Sequence, residues 1–244
     1  MKRKAALIMA IMAAVVVAVA QPMKTEDLEK YAKERYGSKW TKAAQNLASQ
    51  LVLDKNQSLT YQQVIEAPGK SRNKLYTAIN YWATATFLEK GAISLNDKEE
   101  GVIILRPTIA GIAEHIGTIN KYSVSITPVI RIDIKDNKIR VTTTVQYYDI
   151  LNILGSGWVG MAVNEKSLDN SISDSKRMKD DKTNERLYDQ QWEIAKHFPF
   201  VENDDKKRTA SKALVMTHAY ANAVMDKLED TVKNGLTGNE DDDW

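Results

Sequence analysis

The chain has 244 residues, 43% of them hydrophobic and 27% charged, with 34 Lys and Arg against 32 Asp and Glu. That near-balance gives no general reason to bind nucleic acid. The absence of any cysteine excludes thiol catalysis, zinc fingers, thiolate-held clusters and a lipid-modified cysteine anchor.

The first twenty residues read as a cleavable signal peptide. Lys2, Arg3 and Lys4 form a positive start, Ala5 to Ala20 is apolar throughout, and Ala18-Val19-Ala20 is a small-x-small site followed by Gln21-Pro22. The competing reading, a retained anchor, meets an apolar run slightly shorter than the roughly 18 to 20 residues that cross a bilayer core. Cleavage near Ala20-Gln21 takes the 34 basic residues to 31 against 32 acids, so net charge moves from +2 to −1. The expected location is the periplasm or the outer membrane.

The mature chain opens with a helical segment over 21–56. Thr25 stands as N-cap, Glu26 and Asp27 lie in the first turn, and Leu28, Tyr31 and Ala32 then Trp40, Ala43, Ala44 and Leu47 recur at helical spacing. Gly37 divides it into two pieces. Leu59, Tyr61 and Gln63 alternate with polar neighbours, predicting a strand ended by Pro68-Gly69. Ser71 caps a helix running to about Lys90, with Leu75, Ile79, Trp82 and Thr86 on one stripe and Gly91 at the C′ position. Trp82 is read as a core anchor.

Residues 92–148 read as strands. Ala92–Asn96 and Val102–Ile109 flank the turn Asp97-Lys98-Glu99-Glu100-Gly101. A loop is expected around Gly111, His115 and Gly117, followed by one long alternating stretch through Val124, Ile126, Ile130, Ile132 and Ile134, with Pro128 marking a bulge or an edge. Lys135-Asp136-Asn137-Lys138 makes a hairpin turn, because Asp and Asn tolerate the left-handed backbone. Its partner strand runs from Ile139 toward Tyr147 and Tyr148. The expected domain spans 57–163, and 164–204 is a charged insertion or linker. Within that stretch Trp192, Ile194, Phe198, Phe200 and Val201 form a small apolar patch. A helix over 205–235 follows, striped by Leu214, His218, Ala221, Met225, Leu228 and Val232, then an acidic tail over 236–244.

The element order β-α-β-β-β-β-α, the run Val64-Ile65-Glu66-Ala67-Pro68-Gly69-Lys70-Ser71, then Leu75-Tyr76, Tyr81-Trp82, Asp97-Lys98-Glu99-Glu100-Gly101 and Val102-Ile103 carry a resemblance. Over about residues 57–150 the chain resembles a bacterial family of exported domains of unknown function with a TATA-binding-protein-like (TBP-like) fold. Ile139-Arg140-Val141 is consistent with the basic hairpin of that family. The resemblance implies an α+β fold in which a long helix packs on one face of a curved antiparallel sheet, and it implies export. It implies no activity, and DNA binding does not travel with a fold name.

Chemical motifs are scarce. Gly155-Ser156-Gly157-Trp158-Val159-Gly160 fits the dinucleotide pattern, but that motif needs a parallel βαβ unit, which the polar residues after it do not supply. His115, His197 and His218 lack metal-ligand spacing, and no serine sits in a nucleophile elbow. No catalytic residue, metal or cofactor is assigned. The Gly-punctuated apolar run 150–163, with Ile153, Leu154, Trp158, Val159 and Met161, either covers the open end of the sheet or meets a partner or membrane surface. The expected function is a non-enzymatic envelope protein that binds a protein or envelope component through its sheet or through this run. The alternative is a carrier of a small apolar ligand between helix and sheet, lined by Trp82, Tyr147 and Tyr148.

Overall fold

The computed structural model describes residues 24–48, 50–51, 53–116, 120–154, 177–179, 186–194 and 208–235. The predicted leader, Trp158, Val159, Met161, Phe198, Phe200 and the acidic tail lie outside them. In chain order the elements are α1 (Thr25–Tyr36), α2 (Trp40–Ala48), β1 (Leu59–Glu66), α3 (Arg72–Thr86), β2 (Ile93–Asp97), β3 (Val102–Leu105), β4 (Ile109–Ile116), β5 (Asn120–Ile126), β6 (Val129–Lys135), β7 (Lys138–Val145), β8 (Tyr147–Leu154), β9 (Arg177–Lys179), β10 (Arg186–Glu193) and α4 (Arg208–Asn234). No helix among the described residues is long and apolar enough to cross a membrane.

The strands form two five-stranded antiparallel sheets, ordered β1-β7-β6-β3-β2 and β4-β5-β8-β10-β9. Three long paths run through both. β3 continues into β4, β5 into β6 and β7 into β8, and the same three paths lie side by side in each sheet. Their breaks fall level with one another, at Arg106–Thr108, Thr127-Pro128 and Gln146. Pro107 and Pro128 lack the N–H that a ladder requires, so pairing lapses on adjacent paths at the same height. The third path bends by another device. Ile126 pairs with Tyr148 and Val129 with Thr144, so this path holds one residue more than its neighbour. Gln146 is that residue, a bulge that raises local twist, and its carbonyl accepts the Ile194 N–H at 3.0 Å. The architecture is the expected curved antiparallel sheet, with the bend concentrated in one seam.

One face of this bent sheet is apolar. Ile103, Leu105, Ile109, Val124, Ile126, Ile130, Ile132, Val141, Val145 and Tyr148 are all buried on it, each worth about 1.5–3 kcal/mol for a large side chain removed from water. The helices cover it: α4 meets β4, β1 and β7, α3 meets β6, β2 and α4, and α1 and α2 pack against α4. The hairpin turn between β6 and β7 locks onto the start of α3. Asn137 adopts φ +63°, Asp136 Oδ1 accepts the Arg72 N–H at 2.7 Å, and Asn137 Oδ1 accepts the Gly69 N–H at 2.8 Å. Gly101 fills the neighbouring tight turn; its φ is +68° and a Cβ there would stand 2.7 Å from the Ile134 carbonyl.

Several expectations are corrected. Thr25 is the first helical residue and Lys24 the cap, while the Thr25 hydroxyl donates to Ala110 O at 3.3 Å, tying α1 to β4. α3 stops at Thr86, with Phe87 as C-cap, so Gly91 (φ +88°) shapes the following turn. Gly111 and His115 belong to strand β4, where Gly111 (φ +66°) sits in an irregular register between Ile109 and Ala113. The long stretch around Pro128 is two strands in two sheets. Residues 150–154 continue strand β8, and the presumed insertion supplies β9 and β10, the latter paired antiparallel with β8 along its whole length. Among the described residues both strands that flank β8, β5 and β10, are antiparallel to it, whereas a dinucleotide unit pairs its first strand with a parallel one.

Candidate functional site

Among the described residues the helices all lie on one side, and none of them covers the other face of the sheet. In the first sheet that face carries Thr60, Gln62, Val64 and Glu66 from β1, Arg140, Thr142 and Thr144 from β7, and Arg131, Asp133 and Lys135 from β6. In the second it carries Glu114, Ile116, Lys121, Ser123, Ser125, Tyr147, Asp149, Leu151, Gln191 and Glu193. None of these side chains is buried. Every large aliphatic side chain of β6, β7 and β8 whose burial is described and that points the other way is buried, so the contrast between faces is sharp.

Charge divides along the bend. Arg131, Lys135, Lys138 and Arg140 outnumber Asp133, Glu66 and Asp97 on the first half, whereas Glu114, Asp149 and Glu193 outnumber Lys121 on the second. The basic half has a built centre. Asp133 Oδ1 accepts from Arg131 Nε at 2.9 Å and Nη2 at 2.7 Å, and Oδ2 accepts from Arg140 Nε at 3.1 Å and Nη2 at 2.9 Å. Partial burial alone would raise the Asp133 carboxyl pKa, but the two guanidiniums outweigh it and hold the group below its usual range. Each Arg side chain keeps 51% of its exposure while Asp133 keeps 14%. Two forked cations are thus held in fixed orientation with one net positive charge, an arrangement suited to carboxylate or phosphate oxygens. On the other half, Asp149 accepts from Thr127 Oγ1 at 3.1 Å and Gln191 Nε2 at 2.9 Å. At its far end Ile116 is 76% and Leu151 39% exposed.

This architecture has known relatives. Residues 61–148 match the domain of unknown function (DUF4468) with TBP-like fold. The match runs from β1 into the start of β8, and helices α1, α2 and α4 lie outside it. Among solved structures the chain is similar to a TBP-like protein from Parabacteroides distasonis, at 12% identity and a TM-score of 0.43 over 75% of this chain and 96% of that one. It is likewise similar to a DUF4468 family protein from Bacteroides ovatus, at 11% identity and a TM-score of 0.42 over 75% and 90% of the two chains. Comparison with the curated proteins finds no match.

The residues singled out from sequence are distributed as follows. Ile153 and Leu154 form the end of β8, in register with Lys121 and Asn120 on one side and with Leu187 and Arg186 on the other. Trp82 is buried, its ring edge-on to Phe87 at 5.5 Å, in the layer between α3 and the first sheet. Tyr147 and Tyr148, adjacent in one strand, point to opposite faces. Tyr148 is buried beside Thr217 of α4 in the second sheet, so the three aromatics do not share a single lining. The Arg131–Asp133–Arg140 centre was not anticipated. Its signal was present: alternating Arg and Asp on β6 stand opposite Thr142 and Arg140 once the hairpin turn fixes register.

A second polar cluster lies beneath α4. Asn222 Nδ2 donates to Tyr36 Oη at 2.8 Å and lies 3.0 Å from His218 Nε2. The imidazole also meets the rings of Tyr36 at 5.0 Å and Tyr61 at 5.3 Å. Since an amide nitrogen only donates, Nε2 accepts and the ring proton sits on Nδ1 in this arrangement. Burial first, and Arg35 second, lower the His218 pKa to about 4. His218 Nδ1, Tyr61 Oη and Thr143 Oγ1 have no hydrogen-bond partner among the described residues. Burial, with Tyr148 and Tyr36 nearby, pushes the Tyr61 hydroxyl well above its ordinary value. The cluster is neutral, and nothing in it supplies a base poised near neutrality or an exposed nucleophile.

Proposed function

We propose that this chain is an exported, non-enzymatic binding module of the bacterial envelope that engages an envelope component through the helix-free face of its bent sheet. One observation carries this reading: among the described residues every helix packs on one side, while the opposite face holds a pre-oriented pair of guanidiniums on one half, an excess of acids on the other and exposed aliphatics on both. Forked cations fixed by a shared carboxylate bind an anionic group without the entropy of ordering free side chains. The positive start, apolar run and small-x-small site at the N-terminus support export and cleavage near Ala20-Gln21.

The test is an affinity pull-down of residues 21–244 from envelope fractions, comparing wild type, Arg131→Glu/Arg140→Glu and Trp158→Asp. A specific partner lost in the double Arg variant, with its circular dichroism unchanged, is the expected result. A partner lost only in Trp158→Asp would move the contact to the 150–163 run. Identical recovery by all three proteins would refute the surface assignment. N-terminal sequencing of protein isolated from its own cells is expected to begin near Gln21.

A further inference from the structure

The edge of a sheet presents a row of unpaired N–H and C=O groups, which invites another strand unless the edge is blunted or covered. Among the described residues four strands stand at edges, β1 and β2 in the first sheet and β4 and β9 in the second. Three of them carry a blunting device. β2 has five residues and a register shift between Ile93 and Leu95. β4 is interrupted by its own shift between Ile109 and Ala113, where Gly111 takes a positive φ. β9 has three residues. β1 differs from all three. Its eight residues, Leu59–Glu66, pair with β7 without interruption. The strand holds no Pro, Lys or Arg, the residues that commonly guard an edge, and its one charge, Glu66, stands at the last position.

Only the start of β1 is engaged from outside. Leu53 bridges Leu59, and Asp54 Oδ2 accepts from the Thr60 hydroxyl at 2.9 Å. From Tyr61 onward no strand among the described residues pairs with the outer edge. The side chains alternate there. Gln62, Val64 and Glu66 are exposed on the helix-free face, whereas Ile65 is buried and Gln63 Nε2 donates to Glu229 of α4 at 3.4 Å. Val64 is 49% exposed, the one large aliphatic that β1 leaves in water.

This edge is complementary to itself. Two β1 strands laid antiparallel about a two-fold axis at Val64 set Val64 against Val64, Gln62 against Glu66 and Gln63 against Ile65. Paired positions have the same parity, so each side chain meets one on its own face and both helix layers stay on one side of the joined sheet. The exposed valine leaves water against its own copy, and the single carboxylate meets an amide donor. The Leu53–Asp54 corner lies beyond the paired stretch. Centring the pair on Gln63 would instead bring Glu66 onto Thr60, beside Asp54, and set like charges together.

We propose that two copies of the chain associate edge to edge through β1, antiparallel about Val64, and join their five-stranded sheets into one. The interface is isologous, with the same strand on both sides. It goes beyond the binding face proposed above and stands independently of it, but it has a consequence for that face. Val64 is the register partner of Arg140, so the two Arg131–Asp133–Arg140 centres come to share one continuous surface. Their β7 strands lie three strand spacings apart, about 14 Å.

The chain has no cysteine, so Val64→Cys places a single thiol opposite its own copy on the two-fold axis, within disulfide reach. Leu95→Cys sets a comparably open thiol on the other edge of the same sheet, where Leu95 is 43% exposed, and measures chance collision. Under air oxidation of the mature chain, Val64→Cys should form a covalent dimer at least about tenfold faster than Leu95→Cys, because association holds its two thiols together. Sedimentation of the cysteine-free chain should give twice the monomer mass, and Val64→Lys should reduce it to the monomer. Its circular dichroism should be unchanged, since that side chain already stands in water. Equal oxidation rates for the two cysteines overturn the proposal, as does a wild-type chain that sediments as a monomer at high micromolar concentration. A dimer that survives Val64→Lys, or that is lost in Leu95→Lys, places the contact elsewhere and overturns it equally.

Discussion

Replacing His218 by Gln should remove most of the pH dependence of stability between pH 5 and 7.5. In the folded chain burial, followed by the positive charge of Arg35, lowers the imidazole pKa from 6.5 to about 4. Between those values the unfolded chain binds a proton that the folded chain refuses, so stability falls as pH falls. The loss begins near pH 6.5, amounts to about 2 kcal/mol at pH 5, and levels off at about 3 kcal/mol below the folded value. The groups facing the ring are Tyr36 from α1, Tyr61 from β1, Asn222 on its own helix and, farther out, Arg35 with Asp226. The tyrosines with a resolved shift move upward, away from this window. The carboxylates with resolved shifts, Glu29, Asp54 and Asp133, move downward, below it. Urea unfolding at several pH values, on wild type and His218→Gln in parallel, reads the difference directly. Gln keeps an amide able to bond Asn222, so the variant should fold. Equal slopes for the two proteins across pH 5 to 7.5 would show that His218 is solvated and the packed cluster wrongly drawn.

Three further outcomes are expected. Gly101→Ala places a methyl against the Ile134 carbonyl at a positive φ, and should cost about 2–4 kcal/mol, seen as a lowered urea midpoint with unchanged m. Trp82→Ala opens a cavity against Phe87 and should cost about 3–5 kcal/mol, measured in the same way; a loss below 1 kcal/mol would remove Trp82 from the core. Asp133→Asn removes the shared charge and replaces one of the two acceptor oxygens with a donor facing a guanidinium, and should cost about 1–3 kcal/mol at neutral pH. The wild type keeps that contribution above the ordinary carboxylate range and loses it as pH falls through the depressed folded value, so the two proteins should converge in acid.

Local chemistry made much of the fold legible. The Ser71 cap, with Lys74 N–H donating to its Oγ at 3.4 Å, the Asp136-Asn137 hairpin and the stripe of α4 all depend on residues within a few positions of each other. What escaped depends on distance. Nothing around Gln146 signals a bulge, because the extra residue exists only relative to the neighbouring strand. The charged stretch read as an insertion forms β10 because β8 offers it an edge, and its polar residues can stand on an open face without being buried. His115 looked like loop because a glycine lies on either side; one of these, Gly111, instead relieves an irregular register in β4, and the His115 ring stacks on Tyr122 at 4.9 Å. The site followed the same rule: each residue of the Arg131–Asp133–Arg140 centre is unremarkable alone, and only register joins them.

The bulge also explains why the open face has two characters. Along β7, Val141, Thr143 and Val145 point toward the helices while Arg140, Thr142 and Thr144 point away. Uninterrupted alternation would carry Tyr147, Asp149 and Leu151 into the helix-covered side and turn Tyr148 and Ile150 outward. The single added residue at Gln146 reverses that parity. Tyr148 and Ile150 become core beneath α4, and Asp149 and Leu151 reach the open face beside Ser125, Gln191 and Ile116. The Tyr147, Asp149 and Leu151 part of the candidate surface therefore stands on the open face because of one backbone residue, and Arg140 stands opposite Asp133 because of one hairpin turn. The turn opens the third path and the bulge interrupts it, so the register of that path decides where these side chains stand on the face.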